Sequence, residues 1–449
     1  MPDIAPKGGR PILIGNCSGF YGDRISAMRE MLDPSTGSGT QSSLDVLTGD
    51  YLAELTMLIL GKDTMRDASL GYAKTFLAQA KECLGLAQEL GVKLVSNAGG
   101  LNPRGLAEAL DALGTGAKIA YVDGDDVRDK IDDFAPHLEG ALTANAYLGG
   151  FGIARALEAG ADVVVTGRVT DAAVVMGPAI WWHGWTSTDY DALAGAVIAG
   201  HVIECGTQAT GGNFAGLFDA VDAGLVTDPV KPFGFPIAEI AADGTTVVTK
   251  HPGTGGLVTV DTVTAQLFYE IQGSTYLNPD VTTDLTSISL RQLERDRVEI
   301  AGTRGSAPPA RLKVAVNQLG GWRNQVEFVL TGLDLDRKSE LVRAQVEAAL
   351  PGELQRSWST WRAPAPDSAT EEGAAVLQRL TVWSQDQDAV GKAFTGPAIE
   401  LVLASYAGFH VTAPPGKPSA YGVYTPAYID RDQVEHTVHL PDGTTEVIR

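Results

Sequence analysis

The chain has 449 residues, of which 44% are hydrophobic and 20% charged, so its composition is that of a folded protein and excludes a disordered chain. Asp and Glu outnumber Lys and Arg by 55 to 34, and the net charge of −21 excludes nucleic acid and anionic membranes as favoured partners. The three cysteines, Cys17, Cys83 and Cys205, form no CxxC pair, which disfavours a zinc ribbon and a disulfide scaffold.

The first half of the sequence alternates short apolar runs with longer helical patterns. The apolar runs predict buried strands over residues 11–17, 92–96, 118–122 and 162–166. Apolar residues at helical spacing predict helices over residues 44–61, 72–90, 103–113, 146–159, 171–182 and 194–203. Because strands that alternate with helices form parallel β-α units, we expect an α/β domain over residues 1–230, built on a doubly wound, mostly parallel sheet.

The second half has a different pattern, with short alternating segments separated by Gly and Asp. Three such segments, residues 235–240, 245–251 and 256–260, predict β-hairpins. Further along, residues 310–316 and 325–331 are β-rich, residues 337–350 and 397–405 are helical in pattern, and residues 363–372 have the composition of a linker. We therefore expect a smaller α+β lobe over residues 231–449.

Polar residues follow the predicted strands of the first half. In an open α/β sheet, ligands bind beyond the carboxyl ends of the strands. Each predicted strand is followed by Gly together with Asn, Ser, Asp or Arg, which suits an anionic ligand. The substrate-binding candidates are Asn16, Ser18, Asp23, Arg24, Asn97, Gly99, Gly100, Asn102 and Thr170. The alternative is that Gly, Asn and Asp form only tight turns and helix caps here.

Two arginines lie just beyond predicted strands, each with an aspartate nearby. Arg24 and Arg168 could clamp a carboxylate or phosphate through two N–H groups. The alternative is that each forms a structural pair with an aspartate. Asp171 is a candidate for proton transfer and equally a candidate N-cap of the next helix.

The densest polar run, residues 201–213, follows a predicted helix. His201 and Glu204 are three residues apart and share a helical face, but carboxylate-bridged metal sites need a second such pair and the chain has none, so no metal is expected. Glu204 is a candidate general base. Cys205 is a candidate nucleophile or, alternatively, a buried apolar residue. Gln208 and Thr210 are candidate binding residues.

Residues 250–256, KHPGTGG, form a Gly-rich segment flanked by a basic residue, Lys250. The segment resembles an anion cradle in which Lys250 supplies the charge. Its binding candidates are Lys250, Gly253, Thr254, Gly255 and Gly256. It lacks the Walker A pattern, and the chain shows no GxGxxG fingerprint, no G-x-S-x-G elbow and no H-E-x-x-H, which disfavours kinases, ordinary dehydrogenases, serine hydrolases and zincins.

Several long motifs occur in a fixed order: GNCSGFYGDR, SNAGGLNP, TGRVTDAAVVMGP, AGHVIECGTQATGG, KHPGTGG and LVLASYAGFHVTAPPGKPSAYGVYTPAYI. From about residue 12 to the C-terminus the chain resembles the acyclic terpene utilisation (AtuA) family. The resemblance implies a part in the bacterial breakdown of branched terpenoid and related acids through CoA thioesters. It does not imply a particular reaction.

The motifs and the resemblance together lead to an expected function. We expect an enzyme that acts on a branched-chain or terpenoid acyl-CoA, or a related carboxylate, by hydration, dehydration or carbon–carbon cleavage. No redox cofactor is expected, and coenzyme A enters only as part of a small anionic substrate. The catalytic candidates are Glu204, Cys205, Asp171 and Arg168. Two other hypotheses stay open: a hydrolase that uses Cys205 or a metal-bound water, and a non-catalytic subunit of an acyl-CoA pathway complex.

The place of the site and of the protein can also be predicted. We expect one cleft between the carboxyl edge of the sheet and residues 204–212 and 250–256, lined by Arg24, Asn97, Arg168, Glu204 and Thr254. No apolar run approaches the length of a membrane span, and residues 1–11 lack the apolar core of a signal peptide. We therefore expect a cytoplasmic protein with no membrane partner, and a homo-oligomer.

Overall fold

The computed structural model describes residues 7, 9–33, 44–271, 273–362, 369–370 and 372–448. The strands are β1 Ile12–Asn16, β2 Val46–Gly49, β3 Lys93–Ser96, β4 Ile119–Asp123, β5 Thr143–Ala146, β6 Val163–Thr166, β7 Pro236–Ile240, β8 Thr246–Lys250, β9 Thr275–Leu277, β10 Thr282–Asp284, β11 Ser289–Glu294, β12 Arg297–Ala301, β13 Arg304–Ser306, β14 Arg311–Thr331, β15 Gln355–Arg362, β16 Ala375–Ser384, β17 His410–Val411, β18 Ser419–Asp430, β19 His436–His439 and β20 Thr445–Ile448. The helices are α1 Ala27–Leu32, α2 Glu54–Arg66, α3 Lys74–Leu90, α4 Pro103–Asp111, α5 Ile131–Phe134, α6 Phe151–Glu158, α7 Ala173–His183, α8 Tyr190–Glu204, α9 Leu217–Asp222, α10 Val260–Leu267, α11 Leu335–Ala349 and α12 Lys392–Ala404.

The chain divides into two compact units. The first contains Met1–Asn317 and Thr425–Arg449, and the second contains Gln318–Tyr424. This division differs from the expected boundary at residue 230. The reason is that β7, β8, β12 and β11 continue the sheet begun by β1, so the hairpins of the second half belong to the first unit.

The first unit is built on a mixed sheet, which confirms the α/β class. Its strand order is β11-β12-β8-β7-β1-β2-β3-β6-β4-β19-β20. The central strands β1, β2, β3, β6 and β4 are parallel to their neighbours within that group, whereas the strands on both flanks pair antiparallel. The parallel part is therefore the centre of a larger mixed sheet.

Apolar side chains cover both faces of the central strands. Along β6, Val163 and Val165 belong to one apolar cluster and Val164 to another, because successive strand residues point to opposite faces. The first cluster includes Phe76 of α3, and the second includes Ile198 of α8. Burial on both faces explains why these strands are continuous apolar runs in the sequence.

Three sequence predictions of local structure are wrong. Residues 44–61, predicted as one helix, form β2 and then α2, because β2 pairs with β1 and β3 inside the sheet. The helix predicted from residue 146 begins later, at Phe151, because residues up to Ala146 pair with β14. Residues 256–260, predicted as a strand, instead lead into α10, which Thr259 begins with a reciprocal capping box to Thr262.

The second unit has the α+β composition expected for a smaller lobe. Residues Trp322 to Thr331 of β14 pair antiparallel with β16, β16 pairs with β15, and β17 pairs with the other edge of β14. Its core contains fully buried Phe328, Leu380 and Phe394, with Val342 from α11. The predicted linker at residues 363–372 lies largely outside the described residues.

Candidate functional site

Polar residues at the carboxyl ends of the parallel strands meet the end of α8. Asp50 follows β2 and accepts a hydrogen bond of 2.6 Å at Oδ1 from Nδ2 of Asn97, which follows β3. Asn16, the last residue of β1, donates through Nδ2 to the backbone oxygens of Ile203 and Glu204, at 2.6 and 3.0 Å. The end of β1 is thus bonded to the last turn of α8, and the ends of β2 and β3 are bonded to each other.

Arg168 lies in the loop after β6 and is 2% exposed. Its Nη1 atom donates to Oδ1 of Asp171 and to the backbone oxygen of Leu52, both at 2.8 Å. The guanidinium also lies over the ring of Tyr147, 4.3 Å from its centroid, while Nε has no hydrogen-bond partner. Arg168 therefore forms the structural pair with an aspartate and still keeps one unused N–H.

The last turn of α8 contributes a buried acid and a buried imidazole. Oε1 of Glu204 lies 3.0 Å from Nδ1 of His201, and the two residues are 4% and 2% exposed. The other carboxyl oxygen, Oε2, is buried without a hydrogen-bond partner. Every residue of α8 from Ala192 to Glu204 is buried, so these two polar side chains lie in the interior of the unit.

These side chains form one electrostatic group, called here the acid cluster: Asp50, Arg168, Asp171, His201 and Glu204. Burial, followed by the charges of Asp171 and Glu270, raises the pKa of Glu204 well above its usual range, and Arg168 opposes this.

Burial also raises the pKa of Asp50 and of Asp171, and it lowers the pKa of His201. Burial thus shifts these carboxyl groups and the imidazole toward their neutral forms. A neutral buried acid with a free oxygen can donate a proton to a bound molecule.

Two further residues border the acid cluster. Burial and the charge of Glu204 raise the pKa of the Cys205 thiol, so the cluster disfavours the thiolate that a nucleophile requires. Tyr276 of β9 packs with its ring centroid 5.1 Å from that of His201. Burial and the charge of Glu204 raise the pKa of the Tyr276 phenol as well, which keeps it a neutral hydrogen-bond donor.

Arg24 and Lys250, predicted to hold an anion, are engaged elsewhere. Arg24 donates through Nε and Nη2 to the carboxylate of Glu30, and through Nη2 to the backbone oxygen of Phe233 at 2.8 Å. Lys250 lies 3.4 Å from Oδ2 of Asp296 and donates to the backbone oxygen of Thr254 at 3.1 Å. Both charges are thus compensated within the fold.

Several predicted binding residues have the structural roles that turns and caps require. Asn102 caps α4 by accepting from the N–H of Gly105, and Asp23 accepts from the N–H of Gly19 at 2.8 Å. A Cβ atom at Gly99 would lie 2.5 Å from the backbone oxygen of Thr166, and Gly100 has a φ of +55°. Close packing and a left-handed turn therefore account for these glycines.

Other predicted binding residues lie near the acid cluster or in the loops around it. The hydroxyl of Thr170 is buried without a hydrogen-bond partner, two residues after Arg168. Ser18 donates through Oγ to the backbone oxygen of Phe20 at 3.0 Å. Residues 204–212 and 250–256 adjoin, since a Cβ atom at Gly256 would lie 2.2 Å from the backbone oxygen of Thr210. Gln208 accepts a hydrogen bond from Gln266 of α10.

The structure adds residues that the sequence analysis did not select. Asp50 belongs to the cluster, and Glu270 acts on it through its charge. Tyr147 lies under Arg168 and donates to Oε1 of Glu54 at 2.9 Å. Asp50 had a signal in the sequence, because the apolar residues 46–47 followed by Thr-Gly-Asp repeat the pattern of the other strand ends.

Among the described residues, no three His, Cys, Asp or Glu side chains are placed to hold a metal ion. None of the helices in the described part of the chain combines the length and apolar character of a membrane crossing.

A cleft of about 620 Å³ is lined by residues of the 188–192, 243–245 and 302–305 segments, at the first turn of α8. Since the acid cluster is at the last turn, this cleft lies about 20 Å from it along the helix.

The chain matches a known protein family. The family model described as acyclic terpene utilisation family protein AtuA matches residues 12–440. Neither a curated protein nor a solved structure matches the chain.

Proposed function

The chain belongs to the acyclic terpene utilisation family AtuA, and on that premise we propose that it is an enzyme of branched-acid breakdown that adds or removes water by proton transfer. The family match supports the pathway class. The observation that carries the reaction class is the free carboxyl oxygen Oε2 of Glu204, buried beside His201. A neutral acid in such a place is suited to protonate a leaving hydroxyl group.

The proposed roles follow from the contacts. Glu204 gives its proton to the hydroxyl oxygen that leaves as water, and the resulting carboxylate takes the proton of the adjacent C–H bond, whose electron pair becomes the new C=C bond. His201 orients Glu204 through the 3.0 Å contact of Nδ1 with Oε1. Arg168 orients the substrate's carbonyl or carboxylate oxygen through its unused Nε–H. Hydration is the same sequence in reverse.

The substrate class rests on the charge of the site. The charges of Arg24 and Lys250 are compensated by Glu30 and Asp296, so neither cation is left to bind the phosphates of coenzyme A. The acid cluster therefore binds the acyl part of the substrate in this proposal. The proposal covers a branched carboxylate and its CoA thioester alike. The alternative hydrolase with Cys205 as nucleophile has less support, because the surrounding carboxyl groups raise the thiol pKa.

The test uses the full chain with a panel of branched 3-hydroxyacyl-CoA and 2-enoyl-CoA thioesters and the matching free acids. We expect one member to lose or gain water, seen by mass spectrometry and by oxygen exchange from heavy-oxygen water. The Glu204→Gln variant should turn over about 10²–10⁴ times more slowly. The matched control is Glu108→Gln, an exposed glutamate on α4. No turnover and no thermal shift with any member, or full activity of Glu204→Gln, would refute the proposal.

A further inference from the structure

The hairpin formed by β9 and β10 carries buried polar atoms that nothing in the described part of the chain satisfies. Asn278 is 1% exposed, and neither its Nδ2 nor its Oδ1 atom has a hydrogen-bond partner there. Thr283 is 0% exposed, and its Oγ1 atom has no such partner either. A buried polar atom without a partner is costly, so its presence calls for a bound molecule that completes its hydrogen bonding.

These polar atoms belong to one face of the hairpin. Thr283 is directly opposite Tyr276 in the antiparallel pairing of β10 with β9, so the two side chains share a face. Asn278 follows Tyr276 by two residues, and its N–H donates to the backbone oxygen of Val281 at 3.0 Å, which continues the pairing to the turn. Since side chains alternate along a strand, Asn278 lies on the same face, whereas Leu277 between them is exposed on the other.

Both ends of this face contact the surroundings of Glu204. At one end, the ring centroid of Tyr276 lies 5.1 Å from that of His201, in the last turn of α8. At the other end, in the turn of the hairpin, Oδ2 of Asp280 accepts a hydrogen bond of 2.7 Å from the N–H of Gly150. The hairpin is therefore fixed at two points, one of which belongs to the acid cluster.

The second of these points is bonded to the loop that holds Arg168. The N–H of Leu148 donates to the backbone oxygen of Arg168 at 3.2 Å, and the N–H of Thr170 donates to the backbone oxygen of Leu148 at 3.0 Å. Because Asn278 comes between the two fixed points of the hairpin, it lies between the last turn of α8 and the Arg168 loop.

The neighbouring segments hold further buried polar atoms without partners among the described residues. They are Nε of Arg168, Oγ1 of Thr170, Nε2 of His201 and Oε2 of Glu204. The hairpin, the last turn of α8 and the Arg168 loop thus each contribute such atoms to one interior region. Since unpaired polar atoms disfavour an apolar chain, this region suits the polar end of a small molecule.

We propose that Asn278 and Thr283 bind the hydroxyl-bearing end of a 3-hydroxyacyl substrate, an assignment that rests on the proposed function. The Asn278 side chain presents donor N–H groups and an acceptor oxygen on one planar amide. It complements a substrate that carries a hydroxyl group and a carbonyl oxygen close together. The substrate hydroxyl donates to Oδ1 of Asn278, which leaves a lone pair of the hydroxyl oxygen for the proton from Glu204.

The other polar atoms of the hairpin complete the binding of this end. The substrate carbonyl oxygen accepts from Nδ2 of Asn278, and the Thr283 hydroxyl, which can both donate and accept, hydrogen-bonds at the same end. An analogue with hydrogen in place of the hydroxyl leaves Oδ1 of Asn278 without its donor. A site built for a hydrogen bond binds such an analogue more weakly, so the protein should select for the hydroxyl group.

The test pairs each branched 3-hydroxyacyl-CoA of the panel with the analogue that lacks only the hydroxyl. Both are titrated calorimetrically against the full chain carrying Glu204→Gln, in which turnover is slow. We expect the hydroxylated member to bind about tenfold or more tightly. Adding Asn278→Leu or Thr283→Val should reduce this preference by about threefold to tenfold. The matched control is Thr275→Val, on the exposed face of the same hairpin, which should leave the preference unchanged.

Urea unfolding shows whether each variant is folded, and the smaller Asn278→Ser replaces Asn278→Leu if leucine does not fit. Equal binding of the paired compounds, or a preference that survives both changes at Asn278, would overturn the assignment even where turnover takes place. A hydroxyl preference that depends on Asn278, without turnover of any compound by the wild type, would support the binding site and refute the proposed reaction. Failure of every compound to bind would overturn both.

Discussion

The backbone N–H of Arg168 donates a hydrogen bond of 2.9 Å to Oδ2 of Asp125, and the same oxygen accepts one of 2.7 Å from Nδ2 of Asn145. Asp125 is 3% exposed, and burial, opposed by the Arg168 N–H, raises the pKa of its carboxyl to about 7. The residue that holds the Arg168 loop therefore changes its charge near neutral pH.

Asp125 should make the stability of the first unit depend on pH. A carboxyl whose pKa is raised on folding stabilises the fold fully below its unfolded pKa, and this contribution is lost as the pH rises through its folded pKa. For Asp125 the window runs from the ordinary 3.8 to about 7. Within it the free energy of unfolding should fall by at most about 1.4 kcal/mol per pH unit from this group.

The measurement is urea unfolding of the wild type and of Asp125→Asn at a series of pH values across that window. In Asp125→Asn the free energy of unfolding should fall less steeply with pH, because the contribution of Asp125 is gone. The other buried carboxyl groups should still contribute to the pH dependence. Asp126→Asn is the control, because Asp126 is exposed and paired with Arg128. Parallel curves for Asp125→Asn and the wild type would contradict the assignment.

Two arginines that look alike in the sequence should differ in their effect on stability. Arg168→Ala removes a fully buried cation and leaves Asp171 and the Leu52 oxygen without their donor, so it should lower the free energy of unfolding by about 3–5 kcal/mol. Arg24→Ala breaks a partly exposed pair with Glu30 and should cost about 1 kcal/mol or less. Urea unfolding at one pH measures the loss of unfolding free energy in each variant. Equal losses in Arg168→Ala and Arg24→Ala would show that the Arg168 cation is not buried.

Cys205 should behave as a thiol of low reactivity. Burial and four neighbouring carboxyl groups raise its thiol pKa, so alkylation by iodoacetamide near neutral pH should be slower than that of free cysteine. Mass spectrometry of the peptide that contains Cys205 follows the alkylation. Cys205→Ala should leave the proposed turnover intact. Loss of turnover in Cys205→Ala would favour the cysteine hydrolase instead.

The sequence by itself predicted the elements whose signals are local. β1, β3 and β6 are continuous apolar runs, because parallel strands in the centre of a sheet are buried on both faces. The end of α3 at Gly91 and the start of α4 after Asn102 follow from residues that suit those backbone positions. The rule that strand ends carry the polar residues also led to Asn97 and Arg168.

Elements that depend on distant partners were not predictable in the same way. β2 has only four residues and merges with the helical pattern of α2, and its pairing with β1 and β3 decides that it is a strand. Asp50 was missed with it. β5 is likewise a strand because β14, more than 160 residues later, lies beside it.

Tertiary structure alone decided which partners each candidate arginine has and how readily the candidate acid Glu204 gives up its proton. Arg24 and Arg168 both follow strands, yet Glu30 and the Phe233 oxygen engage the first, while burial leaves the second with one unused N–H. The acidity of Glu204 depends on its burial and on Asp171 and Glu270, which the fold brings near from other segments. Residue types can be read from the sequence, but desolvation and Coulomb interactions depend on distances and burial that exist only in the folded chain.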